Sequence, residues 1–362
     1  MKLKQLIIVL SIALIALILG SSLLADKHGE QSFEHKALLS DVDWQALNGI
    51  ELEQGGKTLV IEKVLQEWQI ASKDGYPADK EKLSKFLQSL KDAKVIELKT
   101  KLEKNYHRLG LSLDDSDNQS SGVLLSLSGA GDKSAVELVL GNNAKDNRGQ
   151  YARLLSEPQS YLIDQTLDIN LDGSDWIEPQ LFELVYNDVS QIDVNFASGE
   201  SFVIHRPIEE TNEDESTNDN VDQNTEQNNE QTSENRSSEF VLKFASNAAE
   251  FEQLALKYDT IFSGLVRNVL NVKATDAQLL SDTNEELLKE NKAATFELSY
   301  QVSGAEKTQS FTLYKQELED DSIKYYITFS GGKYLLSISE FNYNQLVKPL
   351  SDYYQAEETQ EE

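Results

Sequence analysis

The sequence predicts an α+β protein: an N-terminal transmembrane helix, then two similar units of mainly antiparallel sheet with packed helices. Three observations lead there. Gln5 to Ala25 carries no ionisable side chain. Short runs of alternating apolar and polar residues recur between turn-forming residues, the period of half-buried strands. The order of those runs in the first half, starting at Ile50, returns in the second half, starting at Ile192.

Residues 1–25 supply the first element, a transmembrane or signal anchor. About 20 apolar residues at ~1.5 Å rise reach ~30 Å, the thickness of a bilayer's hydrocarbon core. Lys2 and Lys4 precede the run and Asp26 follows it. Basic flanks stay cytoplasmic, so the remainder is expected outside the cytoplasm. The expectation is a single-pass protein of a bacterial inner membrane with its soluble part in the periplasm. Gly20-Ser21-Ser22 offers an alternative cleavage site, but the apolar run continues through Leu23-Leu24, which favours an anchor. Both readings export the domain.

The chain has 362 residues, a formal net charge of −29 and no cysteine. Disulfides, thiolate catalysis and thiolate metal sites are thereby excluded. A body of over 300 residues can bury one or two cores without covalent staples. The acidity argues against nucleic acid and against anionic lipid headgroups as partners.

Residues 26–45 are polar and weakly patterned, a spacer after the anchor. The first α+β unit spans 46–186. Ile50, Leu52, Leu59 and Ile61 alternate with polar residues around Gly55-Gly56, the pattern of a hairpin. Trp68 and Ile70 mark a third strand closed by Asp74-Gly75. Helix signals begin at Tyr76-Pro77-Ala78, and Leu83, Phe86, Leu87 and Leu90 fall on one helical face. Val123–Leu127, Val136–Leu140, Tyr151–Leu155 and Tyr161–Ile163 read as four more strands.

The second unit spans 187–354 and is interrupted by an insertion at 208–238. Glu209 to Asn235 contains ten acidic residues, no basic one and a single aliphatic residue, Val221. Such a stretch cannot bury enough apolar surface to offset its ordering entropy, so disorder is expected. It separates two strand-like runs, Phe202–Ile204 and Phe240–Leu242, and reads as a loop between neighbouring strands. With the insertion set aside, a repeat emerges. Ile50-Glu-Leu matches Ile192-Asp-Val, and Leu59–Ile61 matches Phe202–Ile204. Glu67–Ile70 matches Glu239–Leu242, and the face of Phe86, Leu87 and Leu90 matches Ile261, Phe262 and Leu265. Val123–Leu127 aligns with Phe296–Tyr300, and Tyr161–Ile163 with Tyr334–Leu336. Residues 355–362 form an acidic tail.

Few residues suggest chemistry. Asp168, Asn170, Asp172 and Gly173 fit the opening of a calcium loop, but position twelve is Pro179, where a bidentate Glu belongs. The same stretch reads as the start of a helix at Trp176, capped by Asp175 with Glu178 reaching back. Asp114, Asp115 and Asp117 lie among Asn and Ser, which is turn chemistry. His28, His35, His107 and His205 are not spaced for zinc or for a triad. No phosphate-binding glycine loop is present, so an associated ATPase would be another chain. Trp68 and Trp176 begin elements and read as core anchors, and Tyr325-Tyr326 and Tyr353-Tyr354 cannot be assigned to a face. No catalytic, cofactor-binding or metal-ligating residue is expected, and no cofactor.

An ordered set of landmarks resembles the domain-of-unknown-function 4340 family. These are Trp68-Gln-Ile, Tyr76-Pro-Ala-Asp79, the Leu83–Leu90 helix, Tyr106-His-Arg-Leu-Gly110-Leu and Leu138-Val-Leu-Gly141. Gly149-Gln-Tyr151-Ala-Arg153, Tyr161-Leu-Ile and Asp175-Trp176-Ile complete it. The set covers residues 45–205, and the second half only through the repeat. The resemblance implies a non-enzymatic, membrane-anchored companion of an ABC-type transport system, similar to auxiliary components of gliding-motility transporters, with a permease and an ATPase as partners. It supplies no catalytic or ligand residue. Gly110, Gly141 and Gly149 are expected at turns needing unusual backbone angles. Two alternatives are an envelope glycan- or lipoprotein-binding module and an undetected hydrolase.

Overall fold

A computed structural model describes residues 36–113, 121–129, 134–145, 148–207, 239–281 and 288–356. The apolar leader, His28, His35, the Asp114–Asp117 cluster, the 208–238 insertion and residues 357–362 lie outside the described residues. Among the described residues no helix is long and apolar enough to cross a membrane.

The first sheet contains β1 (Leu47–Gln54), β2 (Lys57–Val64), β3 (Glu67–Ile70), β4 (Tyr76–Pro77), β5 (Val95–Leu98), β6 (Val123–Gly129), β7 (Ser134–Asn143), β8 (Gln150–Leu154) and β9 (Ser160–Ile163). Helix α1 (Lys80–Asp92) lies between β4 and β5 in the chain. The β1–β2 turn places Gly55 at φ +57° and Gly56 at +74°. Two consecutive positive φ values match the right-handed twist of the strands they join. The strand order is β4-β3-β2-β1-β6-β7-β8-β9-β5.

The second sheet contains β10 (Val189–Phe196), β11 (Ser201–His205), β12 (Val241–Ala245), β13 (Ala274–Leu279), β14 (Lys292–Val302), β15 (Ala305–Glu317), β16 (Ile323–Phe329) and β17 (Tyr334–Ile338). Helix α2 (Ile261–Leu270) precedes β13, and α3 (Glu340–Leu346) follows β17. The order is β12-β11-β10-β14-β15-β16-β17-β13. It reproduces the first order, with β4 as the one extra strand. β11 and β12, which flank the insertion, pair directly and antiparallel.

The strand irregularities repeat as well as the order. Register breaks between Leu47 and Gly49 in the β1–β6 pair, and between Val189 and Gln191 in the β10–β14 pair. It breaks again between Val95 and Glu97 against β9, and between Ala274 and Asp276 against β17. Bulges are positional features of a fold, so their recurrence fixes the alignment more tightly than residue likeness does. Leu52 faces Leu125, and Val194 faces Phe296. Leu125, rather than Val123, is therefore the counterpart of Phe296. A slip of two residues keeps the same face inward, which is why the alternation could not detect it. With Val95 equivalent to Ala274, the buried helix face Leu83, Phe86, Leu90 corresponds to Phe262, Leu265, Val269, one turn later than expected.

The protein is mainly β: two antiparallel sheets with a few short helices, the described α-helices α1, α2 and α3 spanning 13, 10 and 7 residues. The described residues fall into two compact units, one within 36–58 and 84–169, the other within 59–83 and 170–356. In the first unit Ile50, Leu52, Leu125, Leu127, Leu138 and Leu162 form the core. In the second, Phe296 and Phe311 stack with centroids 4.9 Å apart at 6°, and Ile192, Phe202, Phe262 and Ile327 are buried with them.

The expected helix at Trp176 is corrected. Gly173–Trp176 is a single 3-10 turn, and Ile177 is already extended at φ −70°, ψ 152°. Pro179 disfavours helical geometry at Glu178, and the Glu178 amide instead donates to the Pro77 carbonyl at 2.8 Å. The cap is also shifted: Asp172, not Asp175, accepts from the Ser174 amide at 3.0 Å.

Candidate functional site

A groove in the first unit holds a buried arginine, Arg153. Leu124, Val139 and Arg153 lie side by side across β6, β7 and β8. The alternation that turns Leu125 and Leu138 into the main core turns this row to the opposite face. There a 3-10 helix, Glu103–Leu109, covers it. Tyr106 from that helix packs with Leu111 and Val139 in a small second core, joined by Leu124 and Tyr151. The helix ends at Gly110 in the left-handed region, φ +67°, its amide returning to the Tyr106 and His107 carbonyls. The Tyr106 hydroxyl donates to the Pro158 carbonyl at 2.6 Å, tying the cover to the β8–β9 turn.

Arg153 lies beneath Tyr106, its guanidinium carbon 4.7 Å from the ring centroid. It is 9% exposed, and its Nε has no hydrogen-bond partner. A cavity of about 600 Å³ opens beside it, lined also by Lys101, Glu103, Leu111, Leu155 and Glu157. Glu157 accepts from the Tyr161 hydroxyl at 2.6 Å. Burial first, then this carboxylate, pushes the Tyr161 phenol upward from its ordinary range.

The stretch that resembles a calcium loop is tied up in its own hydrogen bonds. Asn170 Oδ1 accepts from the Asp172 amide at 2.9 Å, the Asn170 amide group donates to the Asp175 carboxylate, and the Asn170 carbonyl accepts from Trp176 Nε1 at 2.7 Å. This is an Asx-turn network around a buried tryptophan. Among the described residues no group of three or more His, Cys, Asp or Glu is placed to hold a metal ion. His107 is exposed on the 3-10 helix. His205 ends β11 with its pKa lowered by burial and then by the Lys243 charge. Trp176 is 1% exposed, whereas Trp44 and Trp68 are half-buried. Tyr325, Tyr326 and Tyr353 are buried and Tyr354 is half-buried.

The three glycines divide by cause. Gly110 and Gly149 hold positive φ, +67° and +140°. Gly141 does not; a Cβ there would stand 2.3 Å from the Leu109 carbonyl oxygen, so it is a close-approach position. Arg153 belongs to the Gly149–Arg153 landmark, but nothing local in the sequence marks it as buried. Its cover comes from residues 103–111, about 45 positions upstream.

The family described as a domain of unknown function (DUF4340) matches residues 68–257, just over half of the chain. No curated protein matches the chain, and no solved structure does.

Proposed function

We infer the function from one premise: the chain belongs to the DUF4340 family. We propose that it is a membrane-anchored extracytoplasmic accessory protein of an ABC-type transport system. It works by binding a permease–ATPase complex, not by catalysis. The charge-free Gln5–Ala25 run behind Lys2 and Lys4 supports the placement.

The observation that carries the binding role is the edge of the second sheet. β12 ends the strand order, and Val241 and Phe244 on it are 41% and 55% exposed. An apolar edge strand offers unpaired backbone groups and side-chain anchors to a partner strand. Full-length protein extracted from native membranes in mild detergent is expected to bring a permease and an ATPase with it. Recovery of the protein alone overturns the proposal. Val241→Lys combined with Phe244→Asp is expected to release those subunits while the circular dichroism spectrum and urea midpoint stay at parental values.

A further inference from the structure

We propose that the Arg153 groove is a binding site for the oxyanion of a small, singly charged ligand, a carboxylate or a phosphodiester with an apolar body. Arg153 makes no hydrogen bond or ion pair among the described residues, and its guanidinium stacks on the Tyr106 face. Cation–π contact uses the face of the guanidinium and leaves its in-plane N–H donors unspent. A cation buried this far without a counter-ion destabilises the fold unless something pairs with it. The planar fork of an arginine is matched by carboxylate and phosphate oxygens.

The repeat provides an internal control. Arg153 pairs with Val139, and the equivalent pair in the second sheet is Thr328 with Thr312. Thr328 is satisfied there by the Tyr314 hydroxyl at 3.1 Å. The architecture therefore does not require a cation at this position; only the first unit has one, and only there does it line a cavity. About 600 Å³ is ample for a small organic molecule. Lys101 adds a second cation, while Glu103 and Glu157 balance the two. The lining thus carries no net formal charge, which disfavours a multiply charged anion. Leu111 and Leu155 provide apolar wall for the body of the ligand.

The site does not depend on the transporter reading, because it belongs to the isolated full chain. The full-length protein in a zwitterionic detergent would be titrated with sodium benzoate, dimethyl phosphate and dihexanoyl phosphatidylglycerol. Calorimetry and the ¹⁵Nε resonance of Arg153 are the readouts. Saturable binding of at least one probe, with a shift of that resonance, is expected. Benzoate alone identifies a carboxylate ligand; the lipid binding more tightly than dimethyl phosphate identifies a headgroup. Arg153→Gln is expected to weaken binding by about tenfold or more, the loss of a charge-assisted bidentate pair. Arg153→Met should also abolish binding yet melt no lower than the parent. If neither Arg153 variant folds, the exposed Lys101→Glu must weaken binding by about threefold or more, as expected for a partly screened charge. No saturable binding by any probe, or equal affinity in a folded Arg153→Gln protein, overturns the site.

Discussion

Gly149 shows how much one backbone position can carry. It sits at φ +140°, and a Cβ there would lie 1.7 Å from the Ile163 carbonyl oxygen in the neighbouring strand. Gly149→Ala combines a glycine-only conformation with a clash against main chain. It is expected to destabilise by about 3 kcal/mol, read as a fall in urea midpoint. A shift below about 0.5 kcal/mol would mean that the strand pair yields easily. Tyr353 is the opposite case. Its ring stacks on Phe262, with centroids 5.3 Å apart, but its hydroxyl is buried without a partner among the described residues. Tyr353→Phe keeps the stack and removes the unsatisfied group, so stability should hold or rise by up to about 1 kcal/mol. A clear loss would reveal a partner for that hydroxyl. Glycine and tyrosine identities are plain in the sequence. What surrounds them is not, because the contacts come from strands or helices distant in the chain.

At the scale of elements, α1 illustrates local determination. Asp79 accepts from the amides of Glu81 and Lys82, both at 2.9 Å, and so caps the helix. Leu83, Phe86 and Leu90 then fall on the buried face. Asp79→Ala is expected to cost about 1 kcal/mol, with the denaturant slope unchanged. A changed slope would indicate that the substitution alters more than the helix end. The Asp172 turn illustrates the reverse. The signals for a helix at Trp176 are present in the sequence, but Pro179 disfavours helical geometry before it and the Pro77 carbonyl takes the Glu178 amide. Alternation placed the β1–β2 hairpin, β3 and the β6–β9 meander, yet missed β5 and its counterpart β13 and left the register uncertain by two residues. Hydrogen-bonded bulges settle it, and bulges leave no pattern in the order of residues.

At the scale of the whole molecule, the tyrosines couple the fold to alkaline pH. Burial first, then the charge of Glu178, pushes Tyr76 up to about 12. Burial and Tyr325 push Tyr343 to about 12 as well. Burial raises Tyr353 further, with Asp352 adding to it. The folded state holds these protons where the unfolded chain has lost them. Their contribution to stability is therefore complete below the ordinary tyrosine pKa of 10 and disappears as pH climbs towards 12. Urea midpoints should fall steeply across that window, and absorbance should show a class of phenols titrating late. A flat midpoint to pH 11.5 (about 1.5 units above the ordinary value) would contradict this.

The order of residues alone determined the repeat, its strands other than β5 and β13, the α1 face and the special status of Gly110 and Gly149, because each follows from a local period or a local backbone demand. The full strand order, the Asp172 cap and the burial of Arg153 were decided only by tertiary structure. Arg153 is the clearest instance. On its own strand it occupies the face that alternation assigns to solvent, and the return of Tyr106 over that face covers its guanidinium with a ring and buries its Nε.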